Sequence, residues 1–302
     1  MTIQFKGGNR RGIEWCDETR NATGGCVHEC QWEMPDGTLA ICYAKELAES
    51  GLVKQFYPHG FEHHYWRPEM LKPLTRGSEP LLIFCDSMSD LFAANVPAEH
   101  VHAILAAMGK APHHVYMSLT KAAPQLLKYI DRLPPNLWVG VSSPPDWFMG
   151  KRLNQRQQSA MLARSMEVLA EVRDRTGNLV WLSAEPVSWD MADVLGASHP
   201  LDWTVIGAAS SGPRYFQPDA EIIKRLLVVL DATGTPVFYK GNIRPLFERN
   251  DLGTPELNRW REDFPESYRS GMPIAAVARR QALCRKHGWT PSRSYAPRAL
   301  AG

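Results

Sequence analysis

One pattern recurs along this chain and is clearest in the stretch Leu81-Leu82-Ile83-Phe84-Cys85-Asp86-Ser87-Met88-Ser89-Asp90. A short, wholly apolar run is followed at once by small polar residues. Runs of this kind, without polar alternation, are typical of parallel strands that are buried on both faces. The same type of run occurs at residues 12–16, 115–119, 137–141, 179–182, 203–206 and 237–239.

Helical patterns fill most of the gaps between these runs. The clearest starts at Pro97, a residue favoured in the first turn of a helix, and continues with Val101, Ile104, Leu105 and Met108 at helical spacing. The predicted helices cover residues 38–50, 97–110, 122–132, 154–176 and 218–233. Repeated β-α units with this many strands predict an α/β fold with a whole or partial barrel more than an open doubly wound sheet.

The residues that follow each predicted strand are small and polar at nearly every position. Barrels of this class hold their ligands at the carboxyl ends of the strands, and small hydroxyl residues leave room for a ligand there. The alternative is that each serine or aspartate caps a helix or makes a turn. Capping is the better interpretation for any single serine, whereas the seven strand ends together indicate a binding site.

Three cysteines lie close together in the sequence, namely Cys26, Cys30 and Cys42. Three thiolates can hold three irons of a 4Fe-4S cluster and leave the fourth iron open for a small molecule. Structural zinc sites take four ligands, so a zinc site would need a histidine as well, from His28, His59, His63 or His64. A chance group of free thiols is the third interpretation. The remaining cysteines stand apart, and Cys16 and Cys85 end apolar runs as buried residues do.

Composition limits the classes of protein that fit. The chain has 302 residues, is 44% hydrophobic and carries a net charge of only +2, which suits one large domain without a general affinity for nucleic acid. No apolar run is long enough to span a membrane and no signal-peptide pattern is present, so we expect a cytoplasmic protein without disulfides. The basic stretch at residues 279–298 predicts a solvated tail or, less well, a phosphate contact.

Several segments, taken in order, resemble a known family. They are Gly12-Ile13-Glu14-Trp15-Cys16-Asp17, Thr23-Gly24-Gly25-Cys26, Cys42-Tyr43-Ala44, Ser87-Met88-Ser89-Asp90-Leu91-Phe92, Leu119-Thr120-Lys121, Gly140-Val141-Ser142, Ser183-Ala184-Glu185-Pro186 and Val237-Phe238-Tyr239-Lys240-Gly241-Asn242. The chain thereby resembles phage-type proteins of uncharacterised function that carry a three-cysteine motif, distant relatives of radical S-adenosylmethionine (SAM) enzymes such as spore photoproduct lyase. The resemblance implies a partial (β/α) barrel, a 4Fe-4S cluster and SAM as cofactor.

The cysteine spacing departs from the usual radical SAM motif. Such enzymes separate their cysteines by three and then two residues, whereas here residues 31–41 lie between Cys30 and Cys42. The insertion contains Pro35-Asp36-Gly37, a turn sequence, so we expect it to loop out and return Cys42 to the cluster. Ile41 then holds the position where these enzymes place an apolar residue against adenine.

The resemblance also implies roles for individual residues. Cys26, Cys30 and Cys42 would hold the cluster as its metal ligands. Five residues at strand ends would bind SAM: Ser87 and Ser89 near its amino group, Lys121 near its carboxylate, and Ser118 and Ser142 near its ribose or carboxylate. Glu185 and Lys240 would be catalytic, acting on substrate, SAM or a proton. The alternatives are that Glu185 is only a carboxylate at the start of a helix and that Lys240 lies in a surface loop.

These inferences predict three regions: residues 1–242 as the barrel with a cluster loop at 24–44, residues 243–275 as a helical or looped appendage, and residues 276–302 as a basic tail. We expect a radical SAM enzyme with an external electron donor, acting on a small molecule, a nucleobase or a nucleic acid in DNA modification or repair, in the host cytoplasm if phage-encoded. A zinc-containing, non-catalytic protein that binds nucleic acid or another ligand is the alternative function.

Overall fold

The computed structural model describes residues 13–34, 36–51, 53–211 and 214–286. The strands of this part of the chain are β1 (Glu18–Arg20), β2 (Thr23–Gly24), β3 (Gln31–Glu33), β4 (Leu39–Ile41), β5 (Tyr65–Trp66), β6 (Leu82–Cys85), β7 (Val115–Thr120), β8 (Leu137–Ser142), β9 (Trp147–Phe148), β10 (Lys151–Arg152), β11 (Val180–Ala184), β12 (Trp203–Ile206), β13 (Ala209–Ser211), β14 (Arg214–Phe216) and β15 (Val237–Tyr239).

The helices of the same residues are α1 (Tyr43–Glu49), α2 (Leu71–Leu74), α3 (Ala98–Gly109), α4 (Gln155–Thr176), α5 (Ala192–Leu195), α6 (Ala220–Ala232), α7 (Arg244–Glu248) and α8 (Ala275–Lys286). The long helix α4 shows why the boundaries fall where they do. Asn154 caps its first turn in a reciprocal pair with Gln157, and Gly177 ends it in the left-handed conformation, with φ at 72°. None of these helices is long and apolar enough to cross a membrane.

Seven parallel strands form the main sheet of the described chain, in the order β1-β6-β7-β8-β11-β12-β15. This spatial order follows the chain order without reversal, so successive crossovers wind the same way and the sheet curls into a partial barrel. The registers align the polar strand ends; Ser183 of β11, for example, lies beside Ser142 of β8. The predicted α/β fold with a partial (β/α) barrel is confirmed.

Two apolar clusters cover the two faces of this sheet. The outer cluster joins Ile83, Tyr116 and Val139 to the helices α3, α4 and α6. The inner cluster is aromatic and contains Trp138, Trp181 and Trp203, all with at most 1% of their surface exposed. A Cβ at Gly140 would lie 2.4 Å from the Trp181 ring, so only glycine leaves space for this packing.

The C-terminal region closes the end of the barrel where the strands begin. Asp17 marks that end because its backbone and carboxylate bond the backbone of Leu82, the first residue of β6. Arg280 of α8 is 3% exposed and donates to the Asp17 carboxylate at 3.1 Å. The expected solvated tail is therefore wrong for residues 276–286, which belong to a packed helix. Residues 287–302 lie outside the described part.

Three local predictions also need correction. The strand expected at residues 12–16 is Glu18–Arg20 instead, because this edge strand is polar and an apolar pattern misses it. The helix expected from residue 38 begins only at Tyr43, since Leu39–Ile41 pairs as a strand. Residues 122–132 form 3₁₀ turns, Ala123–Lys128 and Ile130–Arg132, where Pro124 lies within the first turn.

Candidate metal and cofactor site

The insertion between Cys30 and Cys42 is a β-hairpin that brings the two cysteines together. Strands β3 and β4 are antiparallel, with Gln31 opposite Ile41, and the Cys42 amide donates to the Cys30 carbonyl at 3.0 Å. The hairpin thus places Cys42 beside Cys30, while its binding to a cluster stays a prediction. Both cysteines lie on the hairpin face that carries Trp32, which packs with Ala209, the first residue of β13. Ile41 lies on the opposite, exposed face.

The loop that carries Cys26 is held from both sides by backbone hydrogen bonds. Gly25 donates to the Met88 carbonyl at 2.9 Å, and Cys26 donates to the Phe61 carbonyl at 2.7 Å. Gly25 has φ at 84°, and a Cβ there would lie 1.7 Å from the carbonyl oxygen of His63. Only glycine fits this position. Any other residue would have to adopt a left-handed backbone conformation, and its Cβ would collide with the neighbouring backbone.

All three cysteines line one cleft. Its wall consists of Cys26, His28, Glu29, Cys30, Cys42, Lys45, Phe61 and Glu62. Burial raises the pKa of Cys30 to about 12, an effect that nearby Lys121 opposes. Burial also raises the pKa of Cys26, and the charges of Asp90, Cys30 and Cys42 raise it further, while the His28 backbone N–H hydrogen-bonds its sulfur. A cationic group that replaces the thiol protons would remove this cost.

The cleft offers three thiolates, which are the donors that iron-sulfur clusters use. In the described residues, no three side chains of histidine, cysteine, aspartate or glutamate converge on a point where one metal ion could sit. A 4Fe-4S cluster takes one thiolate on each iron, so its ligands surround a body several ångströms wide and need not converge. Lys45 and Lys121 would offset part of the negative charge of such a cluster. Of the histidines weighed for zinc, His28 lines the cleft, whereas His64 bonds His100 at 2.9 Å.

Ser87 and Ser89 lie against the cysteine loop, directly after β6. The Ser89 hydroxyl is 2.7 Å from the Thr23 hydroxyl, and the Ser87 amide donates to the Asn21 carboxamide at 2.9 Å. Tyr43, the residue after Cys42, donates its hydroxyl to the Ser87 carbonyl at 2.5 Å. The structure therefore brings these two predicted SAM ligands to the same end of the barrel as the cysteines.

Asp86 begins the same segment and was not among the candidate residues. It has φ at 64° and is 4% exposed. Its Oδ1 accepts from Thr23 at 2.7 Å, but its Oδ2 has no partner in the described residues. Burial raises the pKa of Asp86 to about 6, although hydrogen bonds from Thr23 and Ser89 oppose the rise. Left-handed backbone and a poorly satisfied carboxylate are costs that functional sites often carry.

Asp90 connects the cysteine cleft to the end of β7. Its carboxylate accepts from His28 at 2.7 Å, from the Thr120 hydroxyl at 3.0 Å and from the Lys121 amide at 2.9 Å. Burial alone would raise the pKa of Asp90, but these hydrogen bonds and the His28 ring lower it overall. Lys121 is thereby fixed beside the cleft, with its ammonium 5.8 Å from the centre of the Trp32 ring.

The remaining candidates lie further along the strand order. Glu185 and Lys240 form an ion pair at 2.6 Å, and the Ser183 hydroxyl donates to Glu185 at 3.4 Å. Ser142 lies on the inner face of the sheet, because it is four residues after Trp138 in β8 and so points to the same side. Ser118 directly follows Met117, a residue of the inner cluster, and therefore points to the opposite, helix-covered face, where it is 1% exposed. The structure therefore places Ser118 apart from the other candidates.

Glu14 is a further polar residue at the carboxyl end of the barrel. The sequence did not single it out as a candidate, since it occurred only as one residue of the segment Gly12-Ile13-Glu14-Trp15-Cys16-Asp17. Its carboxylate accepts from the Gly241 amide at 2.6 Å, next to Lys240. A Cβ at Gly207 would meet the Glu185 side chain at 3.0–3.2 Å, so glycine gives that carboxylate its space. Because residues 14 and 241 are distant in sequence, no local pattern could have joined them.

Fold and site together define an α/β protein with a partial barrel and a three-cysteine cleft at the carboxyl ends of its strands. The chain belongs to the family described as "Protein of unknown function (DUF5131)", whose model matches residues 10–243. No curated protein matches the sequence significantly.

Solved structures with some likeness include spore photoproduct lyase. Its complex with a dinucleoside spore photoproduct is 10% identical and has a TM-score of 0.49, with 79% of this chain and 80% of that chain covered. A mutant of that lyase is 10% identical with a TM-score of 0.48, covering 76% of this chain and 78% of that chain. Identities and scores this low say nothing about chemistry.

Proposed function

We propose that this protein is a radical SAM enzyme whose 4Fe-4S cluster is held by Cys26, Cys30 and Cys42. The observation that carries the proposal is the β3–β4 hairpin, which reverses the long insertion and places the third thiol in the same cleft as the first two. An insertion without this return would leave only two ligands together. The cleft also lies where barrels hold their ligands.

The neighbouring side chains suit the recognition of SAM. When bound, the cluster and SAM together supply one-electron chemistry that removes a hydrogen atom from a substrate. Ser87 and Ser89 lie beside the cysteine loop and would accept from the amino group of SAM. Lys121 would pair with its carboxylate, because Asp90 fixes the Lys121 backbone beside the cleft. Ser142 lies on the inner face, in reach of a ligand that extends into the barrel.

We propose a substrate that contains a nucleobase. Glu14, Glu185 and the Glu185-paired Lys240 offer both acceptors and a donor at the mouth of the barrel, and the polar edge of a base presents the complementary groups. Two tryptophans outside the main sheet are candidates for stacking on a base, Trp147 of β9 and Trp189 after β11. Trp189 is buried and donates its indole N–H to a backbone carbonyl. Trp147 is half-buried with an indole N–H that lacks a partner in the described residues, so it is the better platform for stacking.

Anaerobic reconstitution tests the proposal. We expect a brown protein with about four irons that forms 5′-deoxyadenosine when dithionite and SAM are added. Cys30→Ala should lose both the cluster and the product. Cys284→Ala is the matched control, because Cys284 is a buried cysteine in α8, at the other end of the barrel, and its loss should change neither.

Two results would contradict the proposal. A full cluster in Cys30→Ala would refute the ligand assignment. Stoichiometric zinc without iron after anaerobic reconstitution, together with no SAM binding, would favour a zinc-containing binding protein instead.

A further inference from the structure

The ring of His28 is held rigidly in the cysteine cleft. Its side chain is 7% exposed, and it stacks on Phe148 with the ring centres 5.1 Å apart. Nε2 lies 2.7 Å from the Asp90 carboxylate. Nδ1 is fully buried and has no hydrogen-bond partner among the described residues.

The surroundings of Asp90 determine which nitrogen carries the proton. Besides its contact with Nε2, the carboxylate accepts three hydrogen bonds. The donors are the Thr120 hydroxyl, the Lys121 amide and the Phe92 amide. A carboxylate that accepts from so many donors is stabilised in its ionised form. Nε2 is therefore the donor to Asp90, and Nδ1 is the ring nitrogen that is left for another partner.

This arrangement is the one that metal-binding histidines use. Such histidines almost always donate their other ring N–H to a carboxylate, which fixes the ring and raises its basicity. A buried nitrogen without a hydrogen-bond partner is unfavourable, so we expect Nδ1 to gain a partner that this structure does not contain. The ring lies in the wall of the same cleft as the three thiols.

We propose that Nδ1 of His28 binds the iron that the three cysteines leave open, so that the resting cluster has three cysteine ligands and one histidine ligand. The inference rests on the proposed function and adds to it a fourth protein ligand. SAM would compete with His28 for this iron. His28 would then protect the open iron from solvent and from adventitious ligands until SAM is present.

Pulsed EPR on protein labelled with ¹⁵N-histidine tests the inference. The reconstituted protein is reduced with dithionite without SAM, and the spectrum is examined for ¹⁵N coupling to the cluster. We expect the coupling in the wild type, its loss in His28→Gln, and its replacement by ¹⁴N coupling when unlabelled SAM is added. His102→Gln is the control, because His102 packs against Tyr129 away from the cleft and should keep the coupling.

The outcomes separate the inference from the proposed function. A complete, reducible cluster without ¹⁵N coupling in the wild type overturns the histidine ligand, while SAM-dependent formation of 5′-deoxyadenosine would still uphold the enzyme. Coupling that persists unchanged in a folded His28→Gln also overturns it. No iron cluster after reconstitution overturns both. The wild-type spectrum decides the question even if His28→Gln does not fold.

Discussion

Two buried carboxylates, Asp86 and Asp90, lie four residues apart and should respond to pH in opposite directions. Asp86 has one carboxylate oxygen without a partner in the described residues and a pKa raised to about 6, mainly by burial. Asp90 accepts from four groups, and its pKa is lowered despite burial. We therefore expect Asp86→Asn to stabilise the protein at neutral pH and Asp90→Asn to destabilise it.

The magnitude for Asp86 follows from its pKa. A rise from 3.8 to about 6 costs about 3 kcal/mol of folding free energy once the carboxyl ionises, at about 1.4 kcal/mol per tenfold change in proton affinity. The folded state binds the proton more tightly, so this cost is absent below about pH 4 and complete above about pH 6. Asparagine removes it, keeps an acceptor for Thr23 and tolerates the left-handed backbone.

Urea unfolding of the cluster-free proteins, followed by tryptophan fluorescence, measures the effect. The free energy of unfolding of Asp86→Asn should match the wild type near pH 4 and exceed it by up to about 3 kcal/mol at pH 7. Asp90→Asn should fall below the wild type at pH 7, and the difference should shrink as the pH falls. A wild type and Asp86→Asn that differ by the same amount at every pH would refute the reasoning.

Two further predictions concern packing. Gly25→Ala should cost at least about 2 kcal/mol and weaken iron incorporation, because its Cβ would overlap a carbonyl oxygen at 1.7 Å. Gly37→Ala shares the positive φ but has open space, so it should lose only about 1 kcal/mol. Arg280→Met should lower the free energy of unfolding by about 3–5 kcal/mol because it leaves Asp17 buried without its closest cation, and equal stability in a denaturant titration would contradict that pairing.

Local sequence patterns were sufficient for most of the barrel. Six of the seven main strands coincide with apolar runs, because strands buried on both faces need no polar residues. The first strand, Glu18–Arg20, escaped because it lies at an edge and pairs on one side only within the described residues. The helix predicted at residues 122–132 was wrong for a different reason. The apolar residues of the 3₁₀ turns there have a spacing that resembles that of an α-helix.

The sequence by itself determined the cysteines, the polar strand ends and the order of the β-α units, since each depends on residue type and on spacing over a few residues. Only the tertiary structure decided that Cys42 returns beside Cys30, that Asp90 orients His28, and that Arg280 closes the barrel on Asp17. These contacts join residues that are 12 to 263 positions apart. They depend on which segments the sheet makes neighbours, and no periodicity within one segment carries that information.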